Sequence, residues 1–461
     1  MTVKSNALIH TDTIAAIATP SGNGGVGIIR ISGALAFEIA LQLLQKTLSP
    51  RRAVYANFFD DKGELIDSGI ALYFPAPHSY TGESILELQG HGGSVILDML
   101  LERVLVLGAR LARAGEFTQR AFLNGKLDLT QAEAVADLIS GRTRQSVRSA
   151  QKSLKGIFSK KIDALVEELT ELRVYVEASI DFVDEEIDFL TDGIIEKRLL
   201  NLIERLDEIQ NTAQQGQLLR DGMTVVLAGK PNAGKSSLLN VLAGSDVAIV
   251  SEIAGTTRDL LREQIQLDGM PLHIIDTAGL RKTHNSIEQE GIRRAHLEMA
   301  KADKILLLID ISHGGGLAKN QLENDALRAT LPMDSEIVRV YNKIDLVDES
   351  PRIEKKGHDT AIFVSTKTGQ GLDLLKKYLK DSIGFNADAE DVFIARRRHL
   401  DGLAHAKSFV LQALHQLQNN AAGELVAEDL KFAQQSLWEI TGEFNADDLL
   451  GKIFSSFCIG K

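Results

Sequence analysis

The run Gly229-Lys230-Pro231-Asn232-Ala233-Gly234-Lys235-Ser236 satisfies the spacing G-x-x-x-x-G-K-[ST]. That spacing works only where a strand enters a glycine-rich turn and a helix leaves it. The flanking residues agree: Val225–Ala228 is apolar and strand-like, and Ser236–Ala243 has helical character. Backbone N–H groups of such a turn, with the positive end of the helix, face phosphate oxygens. In this arrangement Lys235 reaches the β- and γ-phosphates, the Ser236 hydroxyl ligates Mg²⁺, and Ser237 follows inside the same phosphate-binding turn. Three further motifs follow in order: Asp276-Thr277-Ala278-Gly279, Asn342-Lys343-Ile344-Asp345 and Ser365-Thr366-Lys367. Four motifs in this order describe a GTP site.

Guanine selection follows from the third motif. A carboxylate at Asp345 accepts from both the ring N–H and the exocyclic amino group of guanine, a donor pair adenine lacks. Asn342 ties the loop to its neighbours, and the Lys343 stem lies along the base. A base that leaves a buried carboxylate unpaired is rejected by several kcal/mol, on the order of a lost charged hydrogen bond. The plainer alternative is a solvated turn after an apolar strand at Ile337–Tyr341.

A chain of 461 residues is expected to hold two to four domains. One cysteine, Cys458, excludes an internal disulfide framework and suits a reducing compartment. The first residues lack the apolar core of a signal peptide, and no run of about 18 apolar residues occurs, so a cytoplasmic protein without a membrane span is expected. A net charge of −12 argues against non-specific coating of nucleic acid but leaves room for a local basic patch.

Four segments differ in pattern. Residues 1–125 mix short alternating apolar runs (Thr13–Ala18, Gly27–Ser32, Ile70–Phe74, Ser84–Leu88) with helical pieces at Ala36–Leu44 and Val95–Leu107, an α+β domain. Across 126–221 glycines thin out, and Ile162, Leu165, Val166, Leu169, Leu172 and Val176 recur at helical spacing, as in an α-helical bundle. Residues 222–383 alternate strand and helix around the motifs, an α/β P-loop domain of Ras-like type with a mostly parallel sheet. Amphipathic helix returns over 384–461, as in Leu400–Leu417 and Leu425–Thr441. The α/β domain is thus inserted into a helical one, and the fold class is multidomain.

The full set of motifs resembles the tRNA modification GTPases of the MnmE (TrmE) family. The resemblance extends from Thr19-Pro20-Ser21-Gly22-Asn23-Gly24-Gly25-Val26-Gly27, through Gly90-His91-Gly92-Gly93, Gly115-Glu116-Phe117-Thr118 and Ala121–Asp128, to Cys458-Ile459-Gly460-Lys461. It implies that the first domain dimerises and binds a 5-formyltetrahydrofolate-type one-carbon donor, with Arg30, Glu87, Lys126 and Lys461 at the matching positions. Cations for the folate carboxylates and a carboxylate for the pterin amino donors form a sensible set; surface ion pairs are the plain alternative. It also implies partnership with the flavoprotein MnmG (GidA) in a heterotetramer that modifies the wobble uridine of tRNA at C5, adding an aminomethyl or carboxymethylaminomethyl group.

For hydrolysis, many GTPases orient water with a glutamine just after Asp-x-x-Gly. Leu280 stands there instead and has no donor or acceptor. Acidic candidates downstream are Glu288 and Glu290, and the resemblance points to Glu288 as the catalytic residue. No arginine is evidently poised to neutralise transition-state charge, although Arg258 and Arg281 lie in the two switch segments. The family uses K⁺ instead. By resemblance, the Asn232 side-chain oxygen and backbone oxygens of Ser251, Ile253 and Thr256 hold that ion. Glu252, Ala254 and Gly255 belong to the same nucleotide-enclosing loop, and Thr257 takes Mg²⁺; hard oxygen ligands suit such cations. Water exclusion then favours closure across a homodimer.

Several features are ambiguous as sequence. Gly22–Gly27 fits the dinucleotide fingerprint G-x-G-x-x-G, but Ile28–Ile31 reads as strand where that motif demands a helix. Cys458 is easily presented, yet has no neighbouring base to activate it, and a buried inert thiol fits equally well. His91 has catalytic potential, but a turn explains the surrounding glycines. Basic clusters at Arg110/Arg113/Arg120, Arg142/Arg144/Arg148/Lys152/Lys155 and Arg396–Arg398 read first as solvated helix faces, with phosphate contact the second reading. No RNA-reading module is visible. A GTP-dependent switch or assembly factor without folate chemistry is the alternative function, and a scaffold toggled by GTP is another.

Overall fold

A computed structural model describes residues 12–181, 193–245, 262–276, 302–312, 336–347, 349–357, 359–386, 391–420, 422–443, 447–455, 457–458 and 460. The chain divides into two compact units. One comprises Met1–Ala136, Ser153–Ile203 and Gly402–Lys461; the other comprises Asp137–Lys152 and Glu204–Asp401.

The first unit contains a six-stranded sheet of β1 (Ile14–Ile17), β2 (Gly24–Ser32), β3 (Val54–Phe59), β4 (Leu65–Phe74), β5 (Ile85–Gly92) and β6 (Arg110–Leu111), in the order β3-β4-β5-β2-β1-β6. Helices α1 (Ala36–Leu44) and α2 (Ser94–Val106) supply Ile39, Leu43, Leu97 and Leu100 to a core shared with Ile29, Ile31, Leu86 and Leu88. Period-2 alternation in the strands sends these side chains to one face. The glycine run of Gly22–Gly27 enters strand β2, as its sequence context indicated, and not a helix. Strand β3 escaped the sequence reading because only Ala56 and Phe58 of its six residues are buried.

After the sheet comes α3 (Glu116–Leu123), which carries a buried ionic network. Arg120, read above as part of an exposed basic cluster, is 1% exposed. Its Nη1 donates to the Asp12 carbonyl at 2.9 Å and to Glu83 Oε2 at 3.0 Å, while Nη2 donates to Asp12 Oδ1 at 2.9 Å and Glu116 Oε1 at 3.2 Å. Arg110 Nη1 reaches Glu116 Oε2 at 2.9 Å, and the Arg113 amide donates to the same oxygen at 2.8 Å. Three acids therefore take up this cluster's charge; Arg120 is buried among them, while Arg113, paired with the same Glu116, stays exposed.

Next in the chain are α4 (Leu129–Ser140), α5 (Arg144–Leu154), α6 (Ile157–Asp181) and α7 (Ile194–Asp221). The second unit then contains a seven-stranded sheet: β7 (Met223–Gly229), β8 (Arg262–Leu267), β9 (Met270–Asp276), β10 (Lys304–Asp310), β11 (Ile337–Asn342), β12 (Arg352–Lys356) and β13 (Asp359–Phe363). Its order is β12-β13-β11-β10-β7-β9-β8, parallel from β13 to β9 with an antiparallel strand at each edge. Strands β7 and β10 read Met-Thr-Val-Val-Leu-Ala-Gly and Lys-Ile-Leu-Leu-Leu-Ile-Asp, nearly continuous apolar runs as both-faces burial requires. Helices α8 (Lys235–Ser245) and α9 (Leu372–Ser382) contribute Leu238, Leu242, Leu375 and Leu379 to one of its cores.

The chain ends in α10 (Arg397–Asn420), α11 (Gly423–Thr441) and α12 (Asp447–Ser455). Helix α6 packs along α11. Ile162, Leu165, Leu169, Leu172 and Val176 of α6 are buried, as are Val426, Leu430, Ala433, Leu437 and Ile440 of α11, matching the helical spacing in the sequence. Buried Gln434 sets their register: it donates to Thr170 Oγ1 at 2.7 Å and accepts from Arg173 Nη1 at 2.8 Å. Among the described residues no helix is long and apolar enough to cross a membrane.

Burial of Glu116 opposes its ionisation, but hydrogen bonds from Arg110, the Arg113 amide and Arg120 prevail and lower its pKa from 4.5 to about 2. A depressed carboxyl stabilises the fold above its unfolded pKa and loses that contribution as pH falls through the folded value. Glu116→Gln should therefore weaken folding near pH 7 by about 3 kcal/mol, since it strands buried guanidinium charge. In denaturant titrations the deficit should shrink as pH falls from about 4.5 towards 2; a pH-independent deficit would contradict the network's ionic character.

Candidate functional site

The carboxyl ends of parallel strands in an open α/β sheet form the crevice in which such folds bind ligands. Here those ends deliver β7 into Gly229, β10 into Asp310, β11 into Asn342, and β13 towards Ser365. The turn after β7, the segment after β11 and the loop after β13 line a cavity of about 880 Å³ whose walls include Asn232, Lys235, Ser236, Asn342, Asp345 and Lys367.

The phosphate-binding turn has the backbone its glycines permit. Gly234 has φ +102°, and a methyl placed there would sit 2.1 Å from Asn342 Nδ2. Asn232 is left-handed at φ 64°, a conformation asparagine tolerates better than most residues. Helix α8 begins at Lys235, so its positive end abuts the turn. The Lys235 ammonium donates to the carbonyls of Gly229 at 2.8 Å and Lys230 at 3.1 Å, folded along the loop that it is expected to serve.

Asn342 is completely buried and joins three motifs. Its Nδ2 donates to the Ala233 carbonyl at 2.8 Å and to Thr366 Oγ1 at 3.2 Å, and its Oδ1 accepts from the Thr366 amide at 3.0 Å. The tie anticipated between Asn342 and its neighbours is present. Ser365 Oγ donates to Asp345 Oδ1 at 2.6 Å and accepts from the Thr368 amide at 3.1 Å. One carboxylate oxygen of Asp345 is thus oriented by the fourth motif.

Asp310 was missed by the sequence reading. It closes an apolar strand, the one available signal, and its carboxylate pairs with the Lys343 ammonium while accepting from the Ser312 amide at 2.9 Å. Burial pushes the Asp310 pKa up, but Lys343 and Ser312 outweigh it and hold the group below its ordinary value. Lys343 itself sits at φ 68°.

Ser251–Thr257, Thr277–Gly279, Leu280, Glu288, Glu290 and Lys461 lie outside the described residues. So do Arg258 and Arg281. Asp276 ends β9 opposite Leu227 of β7, which places its backbone beside the phosphate-loop strand. Among the described residues no group of three His, Cys, Asp or Glu side chains forms a metal cluster.

In the first unit Arg30 and Glu87 face each other across β2 and β5, with Nε to Oε1 at 2.9 Å. The Arg30 guanidinium lies over the rings of Tyr80 and Phe117, 5.9 and 5.8 Å from their centroids, and its Nη1 donates to the Gly460 carbonyl at 3.3 Å. Lys126 is exposed, its stem beside Gly82. Cys458 is an exposed free thiol, so its burial is excluded. His91 lies on strand β5 rather than in a turn, and its Nδ1 is 2.7 Å from Asp67 Oδ1. Arg396 is tied to Asp137 at 2.9 Å and is not a free phosphate ligand.

Two glycines, one in the phosphate turn and one near the end of α8, give a paired test. Gly234→Ala drives a methyl into Asn342 at a positive φ and should lower the unfolding free energy by about 2 kcal/mol or more, with loss of nucleotide affinity. Gly244→Ala, within α8 and with open space around its Cβ position, should raise it by up to about 1 kcal/mol. Equal effects of the two substitutions in thermal unfolding would contradict the close approach of Asn342.

Two family models match the chain: the GTP-binding protein TrmE N-terminus over residues 13–126, and the MnmE helical domain over residues 129–458. Relatives named tRNA modification GTPase MnmE include that of Hydrogenovibrio crunogenus, 54% identical over 450 residues, covering 98% of this chain and 99% of the relative. That of Marinobacter nauticus is 55% identical, covering 98% and 99%, and that of Yersinia pestis is 56% identical, again covering 98% and 99%. With a phosphate-binding turn, a buried asparagine clamp and a serine-oriented aspartate in one cavity, and this likeness over nearly its whole length, the chain belongs to the MnmE (TrmE) family of tRNA modification GTPases.

Proposed function

We propose that this chain hydrolyses GTP in a K⁺-dependent reaction and, as a homodimer joined to the flavoprotein MnmG (GidA) in a heterotetramer, modifies C5 of the tRNA wobble uridine in the cytoplasm. The observation that carries the nucleotide reading is the single cavity in which Lys235, Ser236, Asn342 and Asp345 converge. Its domain division follows the same reading: residues 1–125 for dimerisation and folate, 222–383 for GTP, and 126–221 with 384–461 as the helical frame.

The positions of Lys235 and Asp345 support the roles given to them here; the residues outside the described ones take theirs from the family likeness. Lys235 leaves the loop carbonyls for the β- and γ-phosphates, Ser236 and Thr257 hold Mg²⁺, and Asp345, braced by Ser365, accepts from guanine. Asn232 is the side-chain ligand for K⁺, with backbone oxygens of Ser251, Ile253 and Thr256. K⁺ held by these residues would supply positive charge beside the β- and γ-phosphates. Glu288 orients the attacking water in place of the glutamine that Leu280 replaces. In the first unit Arg30, Glu87, Lys126 and Lys461 receive a 5-formyltetrahydrofolate-type donor; the half-buried Arg30–Glu87 pair beside two aromatic rings suits a flat, polar-edged ligand.

GTP turnover should be at least about tenfold faster in K⁺ than in Na⁺, in line with one lost transition-state contact, and Glu288→Ala should remove it while GTP affinity is kept. Mass spectrometry of wobble nucleosides from cells lacking the chain should show the modification gone, restored by wild type and not by Glu288→Ala. Equal rates in the two salts would refute the ion's role; an intact modification in the deletion strain would refute the tRNA role.

A further inference from the structure

Residues 141–156 contain Arg142, Arg144, Arg148, Lys152 and Lys155 and no Asp or Glu, in a chain whose net charge is −12. Helix α5 places Arg144, Arg148 and Lys152 at i, i+4 and i+8, a single row with about 6 Å of rise between successive cations. Like charges at this spacing destabilise a helix. Arg142 and Arg144, at the amino end of α5, also oppose its dipole. The like-charge row and the arginines at the amino end both run against this arrangement, and a bound anion would reverse both, while Lys152 in the last turn is placed favourably.

The row faces a cleft of about 740 Å³ whose other wall is the turn of the β8–β9 hairpin. Gly269 of that turn packs so closely on Gln145 that an added methyl would lie 2.2 Å from its Oε1. Arg142, Arg144 and Arg148 are exposed and have no ion-pair partner among the described residues. The acid across the cleft, Asp268, is already paired with Lys380, and Lys152 reaches only the exposed Asp391, at 3.2 Å.

We infer that this cleft binds the sugar–phosphate backbone of RNA, here the tRNA on which the proposed function rests. An extended row of guanidinium groups neutralises successive phosphates, and phosphate neutralisation supplies most of the affinity of proteins for nucleic acid. A protein partner would require an apolar or aromatic centre to the interface, whereas Val392 is the one apolar side chain in the lining. Gln145 and Gln266 supply amides of the kind that reach ribose hydroxyls and base edges.

The test is tRNA binding to the full-length chain by fluorescence anisotropy across a salt series. Replacing Arg142, Arg144 and Arg148 together by Ala should lower the slope of log affinity against log salt by about three, and weaken binding roughly tenfold or more near 0.1 M salt. GTP turnover without RNA should not change. Arg144→Lys should keep the wild-type slope. If the triple variant melts early, Arg148→Ala alone should still lower the slope by about one. Wild-type affinity and slope in the triple variant would overturn the cleft assignment and leave the tRNA reading standing; no tRNA binding by the wild type would overturn both. Retained tRNA affinity with loss of an acidic protein partner would mean that the cleft reads protein, which also overturns the inference.

Discussion

The carboxamide of Asn342 is the constraint on which the nucleotide cavity depends. It is fully buried and spends one donor on Ala233 of the phosphate turn, one on Thr366, and its oxygen on the Thr366 amide. Three loops far apart in sequence are thereby fastened at one point. No other residue type fits: aspartate lacks the donors, glutamine is too long, and Gly234 leaves no room for movement. Because an unpaired buried amide costs about 1–3 kcal/mol, the three bonds stand or fall together.

The sheet makes that fastening possible. Parallel strands β7, β10, β11 and β13 end on one side, so each motif arrives at the same edge without a long excursion. Nearly continuous apolar sequence holds these strands between two cores, and the rigidity of the strands is transmitted to their loops. The first unit adds charge to apolar packing: Arg120 is buried among Asp12, Glu83 and Glu116, so ionic bonds hold helix α3 alongside the contact of its Phe117 with Ile14 and Ala16 of β1.

Legibility followed locality. The phosphate turn, strand β11 and helices α6, α10 and α11 were readable because each is encoded by contiguous spacing or a 3.6-residue period. Strand β3 was not, since its pattern is carried by two inward residues, and Asp310 was not, since its partner Lys343 is distant in sequence. The basic clusters separate on the same ground. Arg120, Arg396 and Arg148 look alike as residues, and only the fold shows that the first two meet acids while the third meets a cleft. Sequence also suggested that Gly90–Gly92 form a turn around His91; pairing with β2 makes them strand instead.

Amide hydrogen exchange at Thr366 tests the central claim most directly. In Asn342→Ala without nucleotide, the Thr366 amide should exchange roughly 5- to 150-fold faster than in wild type, as expected for loss of about 1–3 kcal/mol of protection, while amides within β7 and β10 keep theirs. Unchanged protection at Thr366 would show that the three loops are held together by something other than this one side chain.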